Sequence, residues 1–152
     1  MKQFKITRGQ VVKFVKELNR DFFDVQPEGF NNTIHWHVGH VLLSAENFMF
    51  GFPKKSTNLP LYYTELFGMG TKPSDWQGEI PTLEELIQQL EDQSSRIQDL
   101  PMSFYEEKLP FNFPVGDIKT FGELFGFMLY HEAEHLGQMK AMKRIIGYKS
   151  KV

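Results

Sequence analysis

The sequence predicts an all-α protein, a four-helix bundle with a long crossover between its second and third helices. Four segments carry apolar residues at the three- and four-residue steps of an amphipathic helix. Helix-start signals precede three of these segments. About thirty residues rich in proline and glycine separate the second segment from the third, which is the length of a crossover rather than of a tight turn.

The first two predicted helices form the first half of the chain. The first runs from about Thr7 to Val25, and its apolar face consists of Val11, Phe14, Val15, Leu18, Phe22 and Val25. The second follows the good N-cap residues 31–33 and runs to about Gly51. Inside the crossover, residues 61–67 are expected to form a short helix.

The last two predicted helices each begin at a capping box. The third starts at Thr82, with Glu85 three residues on, and the fourth starts at Thr120, with Glu123. The fourth is expected to run to about Gly147, which suits the C′ position of a helix. Between them, the aromatic stretch 104–113 is expected to be a short strand or a packed loop.

The composition indicates a single domain spanning residues 1–152 and excludes several kinds of protein. Hydrophobic residues make up 41% of the 152 residues, enough for one substantial core. The net charge of −2 argues against a protein that binds nucleic acid. The N-terminus is charged, with no signal segment, and no run is long enough to span a membrane, so we expect a cytoplasmic protein. Because cysteine is absent, a metal site would need nitrogen and oxygen ligands.

All five histidines fall in two clusters about 90 residues apart, at 35–40 and 131–135. His131 and His135 are four residues apart on the fourth helix, so both imidazoles can reach one ion. They share a face with mostly apolar residues, which predicts that they point into the core: Leu124, Phe127, Met128, Gln138, Met139, Met142 and Ile145. A bound metal would satisfy both rings, and the alternative is a pair of core histidines bonded to backbone or water.

The second helix carries a narrow stripe of polar or small residues on an otherwise apolar surface, namely His37, His40, Ser44, Asn47 and Gly51. The stripe is typical of the wall of a polar pocket, and equally of a solvated seam. His35 points away from it and is expected to be structural or exposed. Periodicity does not choose between His37 and His40 as a third ligand. Three histidine ligands would leave a position open for water or substrate, as in catalytic metal sites.

The segment 131–135 also matches H-E-x-x-H, the metalloprotease helix in which the glutamate acts as general base. Three observations weigh against a protease. Residues 136–152 contain no His, Asp or Glu that could be a third ligand, and no convincing strand is available to hold a peptide. Glu132 lies about 100° around the helix from His131, toward the flank of the site, where a surface glutamate would match the motif by chance.

Two motifs resemble the DinB-like (DinB/YfiT-type) superfamily of metal-binding four-helix bundles. His131-Glu132-Ala133-Glu134-His135-Leu136-Gly137-Gln138 looks like that family's H-E-A-x-H-x-G-Q signature, and Trp36-His37-Val38-Gly39-His40 resembles its W-H-x-G-H segment. By this resemblance the metal triad falls on His40, His131 and His135. His37, Ser44, Asn47 and Gln138 would then be pocket neighbours or would support the ligands.

The resemblance implies a divalent transition metal, zinc or nickel, and in some members a thiol S-transferase or isomerase that uses a low-molecular-weight thiol. It also implies a small-molecule substrate and a homodimer, and it does not imply DNA binding. Two alternatives stay open. One is a non-catalytic, stress-associated protein whose metal mainly fastens two helices together, and the other is a helical interaction module whose histidines hold no metal.

Overall fold

Six α-helices are present in residues 1–149, which the computed structural model describes: α1 (Lys2–Lys16), α2 (Ile34–Phe50), α3 (Tyr63–Phe67), α4 (Leu83–Gln98), α5 (Met102–Glu106) and α6 (Phe121–Lys149). Two single 3₁₀ turns, Arg20–Phe22 and Pro73–Asp75, lie in the connections. The all-α prediction is confirmed. The predicted end of the domain, Val152, lies outside the described residues.

The four long helices form the bundle, with α1 and α2 each packed against both α4 and α6. Helix α2 is the most deeply placed, since every residue from Thr33 to Leu43 is buried. Its predicted start is confirmed, because the Thr33 hydroxyl accepts a hydrogen bond from the amide of Trp36 at 3.2 Å. The bundle therefore holds the first histidine cluster on a helix that has little freedom to move.

The capping boxes begin α4 and α6 as predicted. Thr82 and Glu85 exchange side-chain-to-backbone hydrogen bonds at the start of α4. Thr120 accepts from the amide of Glu123 at 3.2 Å, and the Glu123 carboxylate accepts from the amide of Thr120 at 3.1 Å. These local signals settle both helix starts without any tertiary contact.

The first helix differs most from its prediction, because α1 begins at Lys2 and ends at Lys16. Phe4 and Arg8 are buried, but the polar residues around them hide the early start. At the other end, the Asn19 side chain accepts from the amide of Asp21 and starts a separate 3₁₀ turn. The apolar period continues past this break, yet Val25 is 40% exposed and does not belong to the core face.

Three further elements refine the predictions. The expected short helix in the crossover is α3, although it begins at Tyr63. The stretch 104–113 starts inside α5 and continues as irregular chain, in which a single antiparallel bridge joins Lys108 to Thr120. Gly147 is not a C′ residue, because α6 continues through it to Lys149. In the described part of the chain, no helix has the length and apolar character needed to cross a bilayer.

Candidate metal centre

Imidazoles from both histidine clusters meet where α2 crosses α6. The Nε2 atom of His131 lies 3.2 Å from Nε2 of His40 and 3.1 Å from Nε2 of His135. A divalent ion bound to imidazole nitrogens at about 2.0–2.1 Å holds neighbouring nitrogens roughly 3–3.4 Å apart. Both Nε2 separations from His131 therefore match those of a shared ligand set, and the three histidines offer ring nitrogens that all lie within 4.8 Å of one another. Within residues 1–149, no fourth His, Asp or Glu joins this group.

The orientation of His40 is determined by α3. Its Nδ1 lies 2.6 Å from the carbonyl oxygen of Phe67, so this nitrogen carries the proton and donates it. The lone pair of His40 is consequently on Nε2, which faces the other two rings. Gly39 permits this contact, because a Cβ at that position would lie 2.3 Å from the Phe67 ring. Periodicity alone could not have found this role for Gly39 or Phe67, although a glycine in mid-helix is a signal of close packing.

His37 lies one turn before His40 and contacts the far side of His135. The two Nδ1 atoms are 2.7 Å apart, so one donates a proton to the other. If His135 is the donor, its Nε2 is left with a lone pair that faces His131. The group of three histidines that could hold an ion therefore contains His40, while His37 contacts His135 from outside that group.

The imidazole protons by themselves cannot supply a hydrogen bond to all three Nε2 atoms. A neutral imidazole has one N–H, and that of His40 is used by Phe67. With His135 donating to His37, only the ring of His131 could place a proton between the Nε2 atoms, and it can serve only one of its two neighbours. The remaining Nε2 atom then receives no proton from a neighbouring ring, and for His40 the nearby Ser44 hydroxyl is 3.4 Å away, which is a long hydrogen bond. A cation would accept the lone pairs of all three Nε2 atoms at once, so the donor set fits a metal.

Burial keeps the cluster uncharged at neutral pH. Desolvation, followed by the charge of neighbouring histidines, lowers the pKa of His37 to about 4, that of His131 to about 4 and that of His135 to about 2. Desolvation also lowers the pKa of His40. Neutral imidazole is the form that binds a metal, so protons do not compete for the site near pH 7.

The site is covered on one side and less deeply buried on the other. Trp36, itself buried, stacks on the His40 ring at 4.5 Å, whereas His131 and His135 are only half-buried. Among the proposed pocket residues, Ser44 places its hydroxyl oxygen 3.4 Å from Nε2 of His40. Asn47 is exposed and Gln138 is half-buried, and the hydrogen bonds that the described residues make to the triad include neither of them.

His35 does not belong to the centre. It is 5% exposed, and its two ring nitrogens lie 2.7 Å from a carboxylate oxygen of Asp24 and 2.9 Å from the carbonyl oxygen of Pro81. Its ring stacks on Phe23 at 4.1 Å. The expectation that His35 points elsewhere agrees with this position, in which it ties the start of α2 to the flanking loops.

Glu132, the glutamate of the H-E-x-x-H string, is fully buried and faces away from solvent. The expectation that it is a surface residue is wrong, because its Oε1 accepts from Nε of Arg8 at 3.0 Å and also from Nη2. A carboxylate held by a buried guanidinium does not stand beside a metal-bound water as a protease base must. The signal for this pair was in the sequence: Arg8 shares a helix face with Phe4, Val11 and Val15.

Comparison with known proteins identifies the family of the chain. A family model described as the DinB superfamily matches residues 3–139, which include α2 and both histidines of α6. A search of the curated proteins gives no significant match. Because the family model covers most of the 152 residues, this chain belongs to the DinB superfamily.

Proposed function

We propose that this chain is a divalent-metal-dependent enzyme in which His40, His131 and His135 hold the ion, with zinc or nickel as the expected metals. The observation that carries the proposal is the spacing of their Nε2 atoms, 3.1–3.2 Å across His131, on a half-buried face. Three neutral nitrogen ligands leave at least one position for an exogenous molecule, which is the arrangement of catalytic sites. A purely structural ion would more often have four protein ligands.

The proposed reaction is transfer of a low-molecular-weight thiol to a small electrophilic substrate. When bound, the ion supplies Lewis acidity that makes a thiol acidic at neutral pH. The thiol loses its proton to solvent, its sulfur forms a bond to the electrophilic carbon, and the leaving group departs with the electron pair of the broken bond. The chain orients the ligands through the Phe67 carbonyl and His37, while Trp36 shields one side from water.

The metal claim is tested by metal analysis and zinc titration of protein purified without a histidine tag. The unaltered chain is expected to bind one ion, whereas His131→Ala is expected to lose stoichiometric binding because His131 bridges the other two nitrogens. His35→Ala is the matched control, since His35 lies on α2 but outside the group. Absence of a bound ion in the unaltered chain would refute the proposal.

Catalysis is tested separately, by screening thiols with electrophilic substrates on the metal-loaded chain. Turnover that is lost in His131→Ala is the expected result. A metal-loaded chain that turns over none of the pairs would favour the non-catalytic metal-binding alternative. The small-molecule substrate and the homodimer remain predictions.

A further inference from the structure

Three phenylalanine rings from three parts of the chain gather beside the candidate metal centre. Phe48 of α2, Phe127 of α6 and Phe113 of the loop before α6 contact one another with centroid separations of 5.0–5.9 Å. Two of them also contact a metal-ligand candidate: the ring of His131 lies 6.1 Å from Phe48 and 6.4 Å from Phe127. All three rings are half-buried and therefore keep accessible apolar surface.

The seam between α2 and α6 changes from polar to aromatic over two helical turns. The two helices are antiparallel here, because His37 pairs with His135 and Phe48 pairs with Phe127. Along α2 the order is His40, Ser44 and Phe48, at steps of about 6 Å. A molecule that reaches the open position of the metal from this side therefore meets a hydroxyl and then an apolar wall.

We infer that the phenylalanine wall formed by Phe48, Phe113 and Phe127 selects metal-binding ligands that carry an aryl or other apolar arm next to their polar head. The inference rests on the proposed function, since it assigns the substrate class of the same site. The ring neighbours of the wall are its own members, His131 and Tyr130, so an apolar arm meets aromatic surface there. Burying such an arm against aromatic rings is favourable in proportion to the apolar area removed from water.

The test compares two hydroxamates with the same metal-binding head, acetohydroxamate and benzohydroxamate, on the zinc-loaded full chain. Calorimetry is expected to give a Kd for benzohydroxamate at least about tenfold below that for acetohydroxamate, because only the phenyl ring reaches the wall. Phe113→Ala, whose ring contacts Phe48 and Phe127 rather than His131, is expected to reduce this ratio to about threefold or less with zinc affinity unchanged. Phe127→Ala is expected to reduce the ratio by a similar amount, and its zinc affinity is measured alongside because Phe127 contacts His131. Phe22→Ala is the control, since Phe22 is a half-buried phenylalanine that packs near Gly147, three turns or more along α6 from His135.

The outcomes separate the inference from the proposal beneath it. A ratio near one in the unaltered chain, or a ratio that both Phe113→Ala and Phe127→Ala leave intact, overturns the aromatic wall while zinc binding stands. A chain that binds no zinc overturns the metal centre itself. Loss of the preference in Phe113→Ala and its partial return in Phe113→Leu would support the inference, because leucine restores apolar area without the ring.

Discussion

At the scale of single residues, His37 is proposed to act as a hydrogen-bond acceptor for His135 rather than as a metal ligand. Its Nδ1 lies 2.7 Å from Nδ1 of His135, so it can hold the ligand in the tautomer that leaves Nε2 free. The Phe67 carbonyl does the same for His40. Such partners orient ligands and raise their basicity, and their loss weakens binding without removing the site.

Replacing His37, the proposed acceptor for His135, should therefore weaken metal binding. His37→Leu keeps most of the side-chain volume but removes the ring nitrogen, and zinc affinity is expected to fall about 10- to 100-fold. A competition titration with a zinc chelator measures this change. Asn47→Ala, at an exposed position farther along the same stripe and outside the hydrogen bonds that the described residues make to the triad, is expected to change nothing. Unaltered affinity in His37→Leu would contradict the supporting role of His37.

At the scale of helices, the approach of α3 to α2 decides whether His40 is held correctly. Gly39 and Phe67 are in contact at this crossing, and both are buried. A side chain on residue 39 would push the Phe67 ring, and with it the carbonyl that accepts from His40. The glycine of the W-H-x-G-H segment thus has a packing reason that is independent of helix propensity.

Gly39→Ala is expected to lower the free energy of unfolding by about 1–3 kcal/mol, because the added methyl group cannot be accommodated without moving Phe67. Zinc affinity should fall in the same variant. Gly126→Ala is the matched control: it lies in α6 with nothing within 4 Å of an added Cβ, and it should gain about 0.5–1 kcal/mol. Urea unfolding measures the free energy of unfolding of both variants. Equal changes in Gly39→Ala and Gly126→Ala would refute the packing argument.

At the scale of the whole molecule, a buried polar chain connects all four long helices. Arg8 of α1 binds Glu132 of α6 and donates to Gln93 of α4 at 2.9 Å. Gln93 in turn donates to Glu46 of α2 at 2.7 Å, and Glu46 accepts two hydrogen bonds from Arg96. Buried groups of this kind are costly when a partner is removed, since the remaining charge stays desolvated.

Glu132→Gln should therefore lower the free energy of unfolding by about 3–5 kcal/mol. Zinc binding should be retained at temperatures where the variant is still folded. The matched control is Glu91→Gln, which breaks the half-exposed ion pair between Lys16 and Glu91 and should cost less than about 1 kcal/mol. Chemical unfolding and zinc titration together decide the outcome. The protease alternative predicts a different result: the unaltered chain would hydrolyse peptides, and Glu132→Gln would lose that hydrolysis without losing stability.

The stability of the metal-free protein should depend on pH through the buried histidines. Their folded pKa values, about 4 for His37 and His131, lie below the unfolded value of about 6.5. Between these limits the unfolded chain binds more protons, so its free energy falls relative to the folded chain as the pH decreases. Burial shifts the pKa of His35 in the same direction.

Urea unfolding of the chelator-treated chain should therefore show stability that is highest above about pH 6.5 and falls by on the order of 4 kcal/mol at pH 5, from His37 and His131 together. The ionisation of Glu46 does not contribute to the loss of stability between pH 6.5 and pH 5. Although burial alone raises its pKa, hydrogen bonds from Arg96, Gln93, Ser56 and Asn58 bring the value below normal, so its own contribution is lost only at lower pH. A flat profile between pH 7 and pH 5 would refute the burial of neutral histidines.

Local signals in the sequence determined the helical class, the starts of three of the four long helices and the pairing of His131 with His135. Capping boxes and i, i+4 spacing act within one turn of helix, so they need no tertiary information. The burial of Glu132 was missed because its partner Arg8 is far away in the chain. The break after Lys16 was missed for a different reason: the apolar period continues past the local cap that Asn19 provides for the 3₁₀ turn.

Only the tertiary structure decided which histidine of α2 stands with the pair on α6. His37 and His40 lie three residues apart on the same stripe, so periodicity treats them alike. The crossing of α2 with α6, together with the Phe67 carbonyl brought by α3, turns Nε2 of His40 toward His131 and leaves His37 against His135. Ligand geometry arises from the packing of three helices, and a one-dimensional pattern does not contain the distances between them.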